Sequence, residues 1–208
     1  MLKKLILACS ILVAATANAE KIVPVRVVIV EGSKATESFA WEIQFLINEW
    51  LSLHDLRVIY GTQKFAYIPD TAPSDAYTLT GFWMRKGFNW YGGVTWKFQN
   101  RPAPIRPYKK GMSTFYIPPI IHNGQEYGAG MAFGRGSIVL YTKTAVLWKM
   151  FFATLHEFLH TLGARDDCSG IPDGSHNIMC HQSVQAVGQP LGISKANWRR
   201  IRRAIRRL

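Results

Sequence analysis

A strand–helix–strand pattern near the start of the chain most limits the folds that are possible. Residues 22–30 are almost wholly apolar and largely β-branched, as in a buried strand. Apolar residues then recur at helical spacing over residues 38–53, and residues 56–60 have the character of a second strand. Because such units join parallel strands through a right-handed crossover, the pattern predicts a βαβ unit within an α/β fold.

Further elements follow along the chain. Residues 61–130 contain many glycines and prolines, and we expect two or three irregular strands with long loops there. A strand is predicted over residues 137–141 and a long helix over residues 144–162. That helix should end at Gly163, because glycine readily adopts the left-handed conformation that closes helices.

The C-terminal part of the chain has a different character. Residues 164–193 are predicted to be irregular, and Ser194 should cap a last helix that runs to Leu208. We therefore expect one domain over residues 20–208, with an N-terminal subdomain to residue 163 and a C-terminal subdomain from residue 164.

The first 19 residues have the features of a secretory signal peptide. Two lysines precede an apolar stretch at residues 5–15, which is too short to span a bilayer, and Ala17-Asn18-Ala19 supplies a small-x-small cleavage pattern. We expect cleavage before Glu20 and a secreted or periplasmic protein. Lipidation at Cys9 is the alternative, but the apolar stretch continues past that cysteine.

The helix predicted over residues 144–162 contains the sequence His156-Glu157-Phe158-Leu159-His160. Residues four apart lie on one face of a helix, so the two imidazoles can bind one metal ion. Glu157 can then reach a water molecule on that metal. The alternative is a buried helix whose histidines find hydrogen-bond partners in the core.

Residues downstream supply candidates for a third metal ligand. No glutamate follows Glu157, which excludes the class of zinc proteases whose third ligand is a glutamate from a later helix. Asp166 can return to the metal because Gly163 allows the chain to turn sharply. The candidates are Asp166, Asp167, Cys168, Asp173, His176 and His181.

The full pattern, H-E-x-x-H-x-x-G-x-x-D followed by Met179, resembles the metzincin class of zinc endopeptidases. Most metzincins have histidine at the last ligand position. With aspartate at that position, the sequence resembles the small secreted bacterial neutral proteases of the snapalysin type. The run Gly134-Arg135-Gly136 before the helix is a second point of resemblance to them. The resemblance covers about residues 130–182.

This resemblance implies a site, a mechanism and a fold. It implies one catalytic zinc ion and a twisted mixed sheet with an antiparallel edge strand, a backing helix, an active-site helix and a small irregular C-terminal subdomain. Met179 would form an apolar floor under the metal. Three protein ligands leave a fourth position for water, from which Glu157 would accept a proton. The implied zinc ligands are His156, His160 and Asp166.

His181 lies two residues beyond Met179, and we hypothesise that it assists the oxyanion. Cys168 and Cys180 are the only cysteines outside the predicted signal peptide. An even pair in an exported protein predicts one disulfide bond, which would tie the third-ligand region to Met179. A cysteine zinc ligand is the alternative, and it fits poorly with an oxidising compartment.

The chain is strongly basic, with a formal net charge of +12. Such a charge can indicate nucleic-acid binding, but export makes an anionic envelope or acidic protein the better partner. Six arginines lie between Trp198 and Leu208, beside an apolar stripe that includes Ile201 and Ile205. The stripe can dock on the domain, or the helix can bind an anionic membrane or envelope surface.

These features together predict an exported, monomeric zinc endopeptidase that acts on polypeptide substrates. An extended substrate would pair with an edge strand near residues 127–133. The aromatic cluster at residues 82–98 is interpreted as strand packing, with a stacking surface for sugar or peptide as the alternative. The alternative function is a non-proteolytic, zinc-stabilised module that binds the envelope or membrane through its basic, aromatic surface.

Overall fold

The computed structural model describes residues 20–68, 111–117, 120–122, 125–127, 130–133, 137–141, 146–185 and 188–208. The signal peptide, the aromatic cluster at 82–98 and the run Gly134-Arg135-Gly136 lie outside the described residues. The interpretations given to these three segments therefore remain predictions.

The described strands form one main sheet and two small pairs. Their bounds are β1 (Lys21–Val30), β2 (Val58–Ile68), β3 (Met112–Ile117), β4 (Ile120–His122), β5 (Gln125–Tyr127), β6 (Gly130–Phe133), β7 (Ser137–Tyr141), β8 (His176–Asn177) and β9 (Leu191–Gly192). The main sheet has the order β2-β1-β3-β7-β6, in which β6 is an antiparallel edge strand and the other neighbours pair parallel. The predicted mixed α/β fold is confirmed.

Three α-helices accompany the sheet: α1 (Glu37–Leu53), α2 (Leu147–Thr161) and α3 (Lys195–Ile205). Helix α1 begins at Thr36, whose Oγ1 accepts a hydrogen bond from the Phe39 amide at 3.2 Å. It connects the parallel strands β1 and β2, so the predicted βαβ unit is present. None of the helices in the described ranges is long and apolar enough to cross a bilayer.

The core lies between the sheet and helices α1 and α2. Alternate residues of β1 form one apolar cluster with the inward faces of both helices. This follows from the side-chain periods, which are two residues in a strand and about 3.6 residues in a helix. Members of this cluster that are wholly inaccessible to solvent include Val25, Ile43, Ile47, Leu155 and Phe158. This packing holds α2, and the histidines on it, against a rigid sheet.

Three predicted boundaries were wrong. Strand β2 extends to Ile68 rather than Tyr60. Residues 63–67 are exposed or only partly buried, so the far half of the strand lacks the continuous apolar run that marks a buried strand. Helix α2 begins at Leu147 rather than residue 144, after Val146 in an extended conformation. Helix α3 ends at Ile205 rather than Leu208.

The apolar stripe of α3 docks on the domain. Ile201 and Ile205 are buried in the core cluster, and the Trp198 indole donates a hydrogen bond to the His54 carbonyl at 3.0 Å. Asp55 forms an ion pair with Arg202 at 3.5 Å. The docked arrangement is therefore the one observed, and the apolar face of α3 is not available to enter a bilayer.

Candidate metal centre

Helix α2 brings the two motif histidines together. His156 is buried and His160 partly buried, and their Nε2 atoms lie 3.1 Å apart. The spacing of four residues places both rings on one face of the helix, one turn apart. The sequence prediction of a shared helical face thus agrees with the structure.

Backbone carbonyls fix the orientation of both rings. His156 Nδ1 lies 2.8 Å from the Ile178 carbonyl oxygen, and His160 Nδ1 lies 3.0 Å from that of Ala164. A carbonyl oxygen can only accept a hydrogen bond, so each Nδ1 carries a proton and Nε2 is the ring nitrogen whose lone pair can bind a metal ion. Two lone pairs 3.1 Å apart repel each other unless a cation lies beside both.

Asp166 supplies a third donor to the same point. Its Oδ1 lies 3.4 Å from His156 Nε2 and 3.3 Å from His160 Nε2. Tetrahedral zinc with bonds of about 2.0–2.1 Å requires neighbouring ligand atoms about 3.3–3.4 Å apart. The triangle of donor atoms, with edges of 3.1, 3.3 and 3.4 Å, therefore fits a zinc ion.

Two features return the chain from α2 to this point. Gly163 has φ +89°, in the left-handed region, and reverses the chain directly after the helix. Asn197 of α3 then holds Arg165: its Oδ1 accepts from the Arg165 amide at 3.0 Å, and its Nδ2 donates to the Arg165 carbonyl at 2.8 Å. These two bonds fix the backbone immediately before Asp166.

Glu157 lies beside the donor group in a largely dehydrated position. Burial raises its pKa to about 8, with a smaller contribution from the negative charge of Asp166. A hydrogen bond from the backbone of Ala132, in the edge strand β6, lowers the pKa of Glu157 and so offsets part of this rise. A carboxyl group with a pKa near neutrality is suited to take up and release a proton.

Burial also affects the first histidine. It lowers the pKa of His156, because the charged imidazolium is poorly solvated there, and the hydrogen bond to Ile178 opposes this effect. The neutral ring is the form that binds a metal ion. Burial and hydrogen bonding therefore both leave His156 Nε2 ready to act as a ligand.

A disulfide bond joins the third-donor segment to the segment around Met179. Cys168 and Cys180 are bonded, as predicted, with their Cα atoms 4.6 Å apart. Met179 is fully buried, and its carbonyl accepts a hydrogen bond from the Asp167 amide at 3.0 Å. The proposed role of Met179 as a floor under the metal remains a prediction.

His181 lies at the edge of the donor group. Its Nδ1 is 3.8 Å from Asp166 Oδ1, and one donor atom from each of His156, Asp166 and His181 lies within 4.8 Å of the others. The His181 side chain is 73% exposed, so it faces the solvent side of the site. A group at that position can approach a bound substrate.

The other candidates for the third ligand have different roles. Asp167 accepts a hydrogen bond from the Ser169 amide at 2.9 Å, and Asp173 accepts bonds from Ser175. Cys168 is in the disulfide, and His176 lies exposed in β8. Within the described residues, none of these four side chains joins the donor group.

Sequence reasoning missed the groups that orient the ligands. Backbone carbonyls such as those of Ile178 and Ala164 have no side-chain signature, so no pattern identifies them. Asn197 offers a signal in retrospect, because it is an amide on the same helical face as Ile201 and Ile205. A polar residue in an apolar stripe requires a buried hydrogen-bond partner.

Comparisons with known proteins identify the fold alone. No protein-family model matches the sequence, and no curated protein is detectably similar to it. Metalloproteinase-II from Bacteroides fragilis superposes with a TM-score of 0.55 at 14% sequence identity over 90% of this chain. The match covers 54% of the Bacteroides protein, so this chain spans about half of its length.

Two archaeal structures also match. Archaemetzincin from Methanopyrus kandleri has a TM-score of 0.49 at 15% identity, covering 91% of this chain and 97% of that one. A zinc-dependent peptidase from Methanocorpusculum labreanum has a TM-score of 0.48 at 12% identity, covering 85% of this chain and 99% of that one.

Proposed function

We propose that this protein is an exported zinc-dependent endopeptidase of the metzincin type. The observation that carries the proposal is the triangle of donor atoms from His156, His160 and Asp166, with the buried carboxyl group of Glu157 beside it. The fold shared with a protein described as a metalloproteinase supports it. The aspartate at the third position favours a snapalysin-like subtype, and export follows from the predicted signal peptide.

The chemistry divides between the metal and the chain. When bound by His156, His160 and Asp166, a zinc ion supplies a Lewis acid that acidifies a water molecule and polarises the scissile carbonyl. Glu157 takes the proton of the attacking water and later delivers it to the leaving amine.

Substrate would lie along the edge strand β6. Among the described strands it pairs with β7 alone, and its Ala132 backbone contacts Glu157. An extended polypeptide can add to such an edge through main-chain hydrogen bonds. The scissile bond would then lie next to the carboxyl group of Glu157.

The decisive experiment compares peptide cleavage by the wild type and Glu157→Gln. The chain beginning at Glu20 is incubated with an unbiased peptide mixture and the products are read by mass spectrometry. Loss of a general base should reduce cleavage at least about a hundredfold, while zinc remains bound. Glu49→Gln, an exposed change on α1, serves as the matched control and should leave cleavage unchanged.

Two other outcomes would contradict the proposal. Equal cleavage by the wild type and Glu157→Gln would mean that the activity does not use this site. Stoichiometric zinc without cleavage of any peptide would favour the non-proteolytic, envelope-binding module. The buried Glu157 weighs against that module, because a structural metal site has no need of a base.

His181 is proposed to stabilise the oxyanion that forms during attack. Its place beside Asp166, on the solvent side of the donors, supports this role. His181→Phe should lower turnover about a hundredfold, as loss of one oxyanion donor does. His176→Phe is the control, and unchanged turnover in His181→Phe would remove His181 from the mechanism.

A further inference from the structure

The outer face of α3 consists of basic side chains. Successive residues of a helix are rotated by about 100°. With the exception of Arg202, the basic residues of α3 and of the turn after it therefore fall on one side of the helix. Over α3 itself they form a strip about 15 Å long. Each of these side chains is exposed. The members of this basic face are Lys195, Arg199, Arg200, Arg203, Arg206 and Arg207.

This face is not neutralised within the described residues. Arg202, on the flank of α3, forms an ion pair with Asp55, which also binds Arg57. No carboxylate in the described ranges lies within ion-pair distance of any member of the basic face. The strip therefore presents about six positive charges to solvent.

Stability of the helix does not account for these charges. Like charges four residues apart, such as Arg199 and Arg203, repel and destabilise a helix. The helix dipole favours positive charge in the last turn, but Lys195 lies in the first turn, where the dipole opposes it. The arrangement carries an electrostatic cost for the isolated protein, which an external polyanion would offset.

We infer that the basic face of α3 binds the phosphate headgroups of an anionic lipid bilayer. Guanidinium groups bind phosphate oxygens in a bidentate manner, and a straight strip on the outside of a domain can contact a plane along its whole length. The apolar side of α3 is buried in the core, so binding takes place at the headgroups without insertion of the helix.

Exposed leucines beside the strip favour a bilayer over a nucleic acid. Leu53 is 81% exposed and directly precedes His54 and Asp55, which contact α3. Leu208, at the C-terminal end of the strip, is 56% exposed. Leucines next to basic residues suit the boundary between headgroups and acyl chains, whereas a nucleic acid offers them no apolar partner.

Vesicle sedimentation tests this inference independently of any peptidase activity. The chain beginning at Glu20 is mixed with vesicles of phosphatidylglycerol and phosphatidylcholine in equal parts, and with vesicles of phosphatidylcholine alone. We expect binding to the anionic vesicles only, and loss of binding at high salt. Arg199→Gln/Arg203→Gln should weaken binding about 25-fold, since each basic residue near such a surface contributes about fivefold.

Lys21→Gln/Lys149→Gln is the matched control. It removes the same charge from exposed positions outside α3 and should weaken binding much less. Equal weakening by both double variants would show that net charge acts rather than this face, and would overturn the inference. It would also be overturned by absence of binding to anionic vesicles, by equal binding to neutral ones, or by tighter binding to duplex DNA.

Discussion

Two asparagines make the same pair of hydrogen bonds in different regions of the molecule. Asn48 of α1 accepts from the Tyr60 amide at 2.9 Å and donates to the Tyr60 carbonyl at 3.1 Å. Asn197 of α3 does the same to Arg165 at 3.0 and 2.8 Å. The first joins a helix to strand β2, whereas the second fixes the backbone before Asp166, the proposed third metal ligand.

The surroundings of the two asparagines differ. The described part of the sheet region, within residues 20–163, consists mainly of regular strands and helices packed around the apolar core. The C-terminal region, residues 164–208, adds residues such as Ile178 and Met179 to the same core, but before α3 it has little regular structure in the described residues and relies more on a disulfide and scattered hydrogen bonds. The two histidines proposed as ligands therefore lie on a helix packed in the core, whereas Asp166 is exposed in the irregular segment after it, so the proposed metal centre should fail first on the Asp166 side.

Removal of the disulfide is expected to have the largest effect on this difference. In the chain-entropy model, a bond that closes a loop with a sequence separation of 12 contributes about 3 kcal/mol to the free energy of unfolding. Cys168→Ser/Cys180→Ser should lose that amount in urea unfolding. It should also bind zinc more weakly, because Asp166 is no longer held in place.

Zinc affinity of the double serine variant can be measured by competition with a chelator. Reduction of the wild-type disulfide should reproduce both effects. If the variant unfolds more easily but retains wild-type zinc affinity, the C-terminal region is held in place by other contacts, and the distinction between the two regions fails.

Alkaline pH should act on the sheet region instead. Burial raises the pKa of Tyr116 to about 12, and an unfolded chain ionises its tyrosines near pH 10. Above pH 10 the unfolded state therefore holds fewer protons, and stability falls until the pH passes about 12. A shift of this size corresponds to roughly 2–3 kcal/mol in the free energy of unfolding.

The measurement is urea unfolding between about pH 8 and about pH 12, a range that extends about two units to each side of the ordinary tyrosine pKa. Tyr116→Phe should make the loss of stability shallower. Part of the pH-dependent loss should remain in this variant, because burial also raises the pKa of Tyr60. An unchanged slope in Tyr116→Phe would contradict the assignment to this buried phenol.

The sequence predicted most where the physical constraint was local or periodic. Apolar repeats located β1, α1 and α2 within a few residues, because burial follows the period of each element. The spacing of His156 and His160 likewise required only helix geometry. The extension of β2 beyond Tyr60 was missed because residues 63–67 are exposed or only partly buried and give no apolar signal.

Contacts distant in sequence could not be predicted in the same way. The Ile178 carbonyl that orients His156 is 22 residues away, and Asn197 is 32 residues from Arg165. Neither contact repeats along the chain, and a carbonyl group is present in every residue. Asp166 was selected among six candidate ligands through the family resemblance, while the contacts that hold its backbone became visible only in the folded structure.

The two asparagines provide the smallest and most specific test. Asn48→Ala and Asn197→Ala should each lower the free energy of unfolding by about 1–3 kcal/mol, because each leaves backbone groups without partners. Only Asn197→Ala should also weaken zinc binding, since Arg165 directly precedes Asp166. The measurements are urea unfolding and chelator competition for both variants.

The comparison separates stability from site geometry, because both substitutions remove a matched pair of hydrogen bonds to one backbone residue. Asn197→Ala also removes the bond that Arg200 donates to Asn197 Oδ1 at 3.2 Å, so its effect on zinc affinity is read relative to its loss of stability. If both variants lose zinc affinity in proportion to their loss of stability, the metal centre depends on the fold as a whole. If Asn197→Ala alone loses it, the Arg165–Asn197 contact is a positioning device for Asp166. The structure favours the second result, because Asn48 acts on Tyr60, a strand residue outside the donor group, while Asn197 acts on the residue directly before Asp166, a member of that group.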